Sequence, residues 1–187
     1  GLTGDARLTN YFLWAQDSQL FSLYTPEFRA RLGQETASAP MLEFLKPLPK
    51  SVGSLERVLA LEQRFFLTDH NLAYTDKMSM AAGVEVRVPF LDPDLVEHAA
   101  RTPAGIKQRG RTGKWVLKKA MEPYLPRNVI YRPKSGFGAP LRRWIRHDLR
   151  ELLGDMLSVR SLKRRGLFEP VAVQNLIQQN DKGQVDG

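Results

Sequence analysis

The 187-residue chain is long enough for one domain with a sizeable core, burying roughly 70% of its unfolded surface. Hydrophobic residues at 42% and charged residues at 26% exclude a disordered chain, and no apolar run approaches the roughly 20 residues that a bilayer span needs. The absence of cysteine excludes disulfides and thiolate chemistry, and the net charge of +8 points to an anionic partner.

In chain order, helical spacing comes first. Leu8, Tyr11, Phe12 and Ala15 recur at i, i+3, i+4 and i+7, which predicts one apolar helix face. Thr25-Pro26-Glu27 predicts a helix start with Thr25 as N-cap and Pro26 in the first turn, and Gly33 is the expected stop. Residues 34–53, with three prolines, read as a loop holding at most a short helical turn. Ser54 is a suitable cap for a helix through Phe66, and Asp69 for another that ends at Gly83, with a kink or no break near Thr68. Val84-Glu85-Val86-Arg87-Val88 then alternates strictly, so a short extended segment is expected with its valines turned into the core. Asp92-Pro93 restarts a helix through Ala99, and Thr112 or Gly113 opens another through Met121. Residues 131–140, with two prolines and two glycines, are not regular structure. Helices are expected at 141–153 and 170–179, with residues 181–187 frayed. The fold class is therefore mainly α, with one extended segment near 84–88.

Few reactions suit the residues present. His70, His98 and His147 are far apart and lack metal-ligand spacing, so no metal site is expected. Gly113-Lys114 hints at a phosphate loop, but Gln108 and Trp115 stand where the P-loop pattern needs Gly and Ser or Thr. Alternation places Glu85 and Arg87 on one side, either as a solvated ion pair or as a charged pair facing a cleft. Asp76-Lys77 carries the same ambiguity. Arg132-Pro-Lys134-Ser-Gly136-Phe-Gly138 sets two cations in a glycine-rich loop, which suits phosphate oxygens or serves only as a connector. Charge is concentrated around that loop. Residues 101–165 carry 18 Lys/Arg against 4 Asp/Glu, whereas residues 1–100 carry 9 against 13. Such a stretch attracts nucleic acid, nucleotide phosphates or an acidic protein surface alike. A basic nucleic-acid-binding module would use the Lys163-Arg164-Arg165 cluster, yet no helix-turn-helix, zinc or aromatic-platform pattern accompanies it. No nucleic-acid and no membrane partner is expected.

The run Asp76-Lys-Met-Ser-Met-Ala-Ala-Gly-Val-Glu-Val-Arg-Val-Pro-Phe-Leu-Asp92 resembles the signature of the glutamine-hydrolysing asparagine synthetase family, where a similar run ends in E-x-R-V-P-F-L-D. Gly113-Lys114, Tyr124-Leu-Pro126, Arg132-Pro-Lys134-Ser-Gly-Phe-Gly138 and Trp144 follow in family order. The resemblance is strong over residues 54–155 and looser before them. It implies that residues 1–187 are the helical C-terminal half of an α/β PP-loop ATP-pyrophosphatase synthetase domain. The family's pyrophosphate loop, S-G-G-x-D-S, is absent, as are its acidic metal-binding stretch and the cysteine nucleophile of its glutaminase domain. The chain is thus expected to be a fragment that is inactive alone and binds no cofactor tightly.

For the full-length enzyme the resemblance implies ATP and Mg²⁺, aspartate, and ammonia derived from glutamine. It also implies a glutaminase domain and a PP-loop half in the same parent chain, a cytoplasmic setting, and room for a homodimer. Aspartate would be adenylated on its side-chain carboxylate and then attacked by ammonia. Lys134 matches the lysine that stabilises phosphate charge, and Glu85 a cleft residue that orients groups or handles the ammonia proton. Arg87, Asp76, Lys77, Arg132 and Gly136 are the implied substrate- and nucleotide-binding residues. A β-lactam synthetase or an amidotransferase of polysaccharide modification carries a related domain, so the substrate stays open.

Overall fold

A computed structural model describes residues 1–133 and 140–183. Among them helices dominate, and the only paired strands are a two-residue hairpin, Gln108–Arg109 with Thr112–Gly113. The chain divides into two units, Gly1–Tyr11 with Pro40–Ser135, and Phe12–Ala39 with Gly136–Gly187.

The first unit is organised by a helix over residues 54–81. Gly53 caps it, so Ser54 is its first helical residue and not the expected cap. The α-helix Ser54–Leu61 passes into a π-helical stretch, Glu62–Leu72, and returns to α-helix over Ala73–Ala81. Asp69 therefore opens no new helix. The wider turns let the Thr68 hydroxyl donate to the Gln63 carbonyl five residues back, at 2.7 Å. Gly83, at φ 68°, ends the run as its sequence position suggests.

The N-terminal turns of this helix are packed. Leu61 and Leu45 are fully buried, with Met41 and Leu8 close behind. Arg57 is buried with them. Its guanidinium donates to Asp5 at 3.0 Å and to the carbonyls of Leu45, Leu48, Pro49 and Val52 at 3.0 to 3.3 Å. One cation thus holds the connector 45–52 against the helix and ties in the helix Gly4–Thr9. Burial of a charge is tolerable here because its donors are matched by five acceptors.

The expected first helix is shorter than its apolar stripe. It ends at Thr9, a single 3₁₀ turn follows over Asn10–Phe12, and Tyr11 is exposed. Gln16 and Gln19 form a reciprocal capping box that starts the next helix, Asp17–Leu23, which leaves Ala15 outside both. The segment 34–53 holds a seven-residue helix, Ala39–Leu45.

A larger correction concerns residues 84–88. They carry no helix or strand assignment, and among the described residues no strand pairs with them. Val84, Val86 and Val88 are 55%, 44% and 43% exposed, so alternation does not turn them into a core. Alternation specifies two faces, but burial of either requires a layer to receive it.

Farther on, Asp92 caps Pro93–Arg101 by accepting from the Leu95 N–H at 3.1 Å. The next helix of note begins at Trp115, not at Thr112 or Gly113, because those two residues complete the hairpin and Lys114 takes a left-handed φ of 55°.

In the second unit, Thr25 caps Pro26–Leu32 and Gly33 terminates it, as its sequence requires. The Thr25 hydroxyl also donates to the Gly166 carbonyl at 2.9 Å. Backbone bonds from Thr25 to Leu167 and from Glu169 to Leu23 join the two segments, with Tyr24 packed on Phe28 and Phe168. Leu162 and Val173 are buried. The expected helix 141–153 is interrupted at Leu149, where the π-helical turn Trp144–Asp148 gives way to Arg150–Met156. The final helix is Pro170–Asp181. The Lys163-Arg164-Arg165 cluster closes the helix Val159–Arg165, where cations offset the carbonyl end of the helix dipole. Arg165 is also engaged locally, donating to the Met156 carbonyl and the Ser161 hydroxyl at 3.1 Å each. No helix among the described residues is long and apolar enough to cross a membrane.

Candidate functional site

The sequence singles out residues on three stretches. Asp76 and Lys77 lie on the helix Ala73–Ala81 and are exposed. Glu85 and Arg87 lie on the extended segment, 2.9 Å apart in an ion pair whose side chains are 69% and 85% exposed. The two charged ends therefore meet. At that exposure an ion pair contributes little stability, about 0–1 kcal/mol. Among the described residues no hydrogen bond or ion pair joins Asp76, Lys77 or Arg132 to this pair. Arg132 is exposed just beyond the helix Arg127–Ile130. Lys134 and Gly136 lie outside the described residues.

The motif continues into a groove. Phe90, three residues after Arg87, lines a cavity of about 740 Å³ with Leu55, Leu59, Ala99, Val116 and Leu117. Its wall is mostly apolar, with Lys107 and Lys114 among the polar groups on it. None of Asp76, Lys77, Glu85 or Arg87 lines the cavity.

A cluster that sequence reasoning overlooked stands directly before Arg132. The Tyr131 hydroxyl donates to Glu122 Oε1 at 2.7 Å, and Lys119 Nζ donates to both Glu122 oxygens at 2.9 and 3.1 Å. Arg127 adds an ion pair at 3.7 Å. The Tyr131 hydroxyl bond is the foremost reason that the Glu122 carboxyl lies below the usual carboxylate range, with the Lys119 bond next. The same hydroxyl bond raises the Tyr131 phenol. Lys118 and Arg127 also face the Tyr131 ring, 5.6 and 4.8 Å from its centroid. The only signal in the sequence is that Tyr131 adjoins the two-cation loop; nothing in the spacing announces Glu122.

Magnesium requires near-octahedral oxygen coordination. Among the described residues no three carboxylate, histidine or cysteine side chains gather to hold a metal. Glu85 is engaged with Arg87 and Glu122 with Tyr131 and Lys119. Neither carboxylate is part of a preformed protein cage for magnesium among the described residues.

The comparisons agree on one family. The family model described as asparagine synthase matches residues 5–187. A Mycobacterium bovis protein, named provisionally as a glutamine-hydrolysing asparagine synthetase, is 48% identical over 75 residues, covering 40% of this chain and 12% of the relative. Glutamine-hydrolysing asparagine synthetase 1 of Bacillus subtilis is 37% identical over 86 residues, 46% of this chain and 14% of the relative. Asparagine synthetase 3 of the same organism is 34% identical over 108 residues, 58% of this chain and 17% of the relative. The chain thus matches under a fifth of the length of each of these relatives. No solved structure matches. The chain belongs to the asparagine synthase family.

Proposed function

We propose that this chain serves as the helical C-terminal part of a PP-loop synthetase domain in a glutamine-hydrolysing asparagine synthetase. The carrying observation is the family match over residues 5–187, which takes in the motif from Asp76 to Asp92 and the cationic loop from Arg132. The reaction has two steps. An oxygen of the aspartate side-chain carboxylate attacks the α-phosphorus of ATP, the bond to the leaving pyrophosphate breaks, and an aspartyl-adenylate forms. Ammonia from glutamine then attacks the acyl carbon, the bond to AMP breaks, and a proton leaves the nitrogen as asparagine forms.

The parts assigned to this chain follow from charge. Arg132 and Lys134 would face the phosphate oxygens, whose charge grows as pyrophosphate departs, and a preorganised cation there stabilises the transition state. Glu85 would take the ammonia proton or orient the nucleophile, with Arg87 holding its carboxylate at 2.9 Å. Asp76 and Lys77 would contact substrate or nucleotide. Partners on this reading are the glutaminase domain and PP-loop half of the parent chain.

Asparagine formation from aspartate, ATP and glutamine by the full-length protein tests the reading; formation with another acyl substrate but not aspartate would replace it with a related ligase. Within that assay, Lys134→Ala should lower kcat about 10²–10³-fold, the scale of a lost transition-state contact. Near-normal kcat with aspartate saturating would remove Lys134 from the chemistry.

A further inference from the structure

Neither the sequence motifs nor the family match assigns a role to the Glu122–Tyr131 cluster. We propose that Glu122, acting through Tyr131, is a positioning residue for Arg132, fixing the direction in which that cation leaves the helical scaffold. The inference rests on the synthetase reading above.

Tyr131 is held at several points. Its hydroxyl is bonded to Glu122 at 2.7 Å, its ring lies against the Lys118 and Arg127 cations, and its backbone N–H donates to the Arg127 carbonyl at 3.0 Å. Glu122 is itself fixed by two bonds from Lys119 and the pair with Arg127. A carboxylate gripped from several sides makes a stiff acceptor, so the phenol it receives has little freedom. The chain then passes at once to Arg132, and Pro133 restricts the backbone of Arg132 to extended conformations. With Tyr131 anchored on one side and the proline on the other, the Arg132 backbone is confined, so the direction in which its side chain leaves the scaffold is set and only the side-chain torsions remain to place the guanidinium. This is the arrangement expected where a charge must meet phosphate oxygens in one geometry, since misplacement by about 1 Å can cost as much as 10²-fold in rate.

A simple structural staple between the two helices would have the same contacts, and the test separates the two. In the full-length protein, aspartate-dependent exchange of labelled pyrophosphate into ATP reports the adenylation step alone. Tyr131→Phe, which keeps the ring and its two cations, and Glu122→Gln should each lower exchange kcat/KM about tenfold per folded molecule. Arg132→Ala should lower it at least as much. The double variant Tyr131→Phe/Arg132→Ala should be no worse than Arg132→Ala alone, because the tyrosine then has no cation to aim. Normal exchange by Tyr131→Phe, or losses that multiply in the double variant, would overturn the positioning role while leaving the synthetase reading intact. Absence of aspartate-dependent exchange in the unsubstituted protein would overturn both. If Glu122→Gln fails to fold, the Tyr131→Phe cycle decides the matter by itself.

Discussion

The helix over residues 54–81 begins and ends in different surroundings. In its first turns Leu61 is completely buried and Arg57 donates to five oxygens, so packing and polar satisfaction coincide. In its last turns Tyr74, Met78 and Met80 are 64%, 53% and 59% exposed, and the valines and Phe90 that follow are exposed as well. Both ends are rich in apolar residues, yet among the described residues only one has a core. The family motif lies entirely in the second, where the chain's own packing is least. Asp92 caps the following helix and Phe90 lines the cavity beside Leu55, but the side chains of Asp76, Lys77, Glu85 and Arg87 are left to the surface.

Substitutions at the two ends should therefore differ sharply. Leu61→Ala removes a fully buried side chain and should destabilise by about 2–5 kcal/mol, read as a fall in the urea midpoint. A loss below about 1 kcal/mol would mean that the core around Leu45 and Leu61 is not formed as described.

The Glu122 cluster should show an intermediate effect that depends on pH. The Glu122 carboxyl is lowered in the folded chain, so its contribution is present above the ordinary carboxylate value of about 4.3 and is lost as pH falls through the depressed folded value. The Tyr131 phenol is raised, so its contribution is present below about 10 and is lost as pH rises through the raised folded value. Urea midpoints of the Glu122→Gln variant and the unsubstituted chain should differ most between these limbs and converge in acid. A difference independent of pH would remove the charged bond from the account.

At the exposed end, Val86→Ala should change the midpoint by no more than about 0.5 kcal/mol, as for an ordinary surface position. A large loss would show that the extended segment has a core after all.

Local rules made much of this legible. Thr25, Pro26 and Gly33 bound a helix because a hydroxyl cap, a fixed φ and a residue tolerant of positive φ each act within a few residues. Asp92 before Pro93 works in the same way. Residues 84–88 read only halfway. Glu85 and Arg87 do meet, but the fate of the valines depends on whether another layer meets them, which alternation does not contain. Arg57 was unreadable for a related reason, since its acceptors come from Asp5 and from carbonyls of 45–52 that only tertiary structure gathers. The Glu122–Tyr131 bond likewise depends on how the stretch 122–131 turns, through two prolines and a four-residue helix. Candidate site residues were thus identifiable by kind and by motif, while their supports were not.

On the proposed reading, the exposed pair Glu85–Arg87 serves the chemistry and not the fold. Glu85→Gln in the full-length protein tests it, with melting temperature, glutamate release and asparagine formation measured on one preparation. The melting temperature should stay nearly unchanged, because a pair 69% and 85% exposed holds little stability. Glutamate release should persist while asparagine formation falls with either ammonia or glutamine as nitrogen donor. A lowered melting temperature with normal asparagine formation per folded molecule would contradict the claim and return the pair to a structural role.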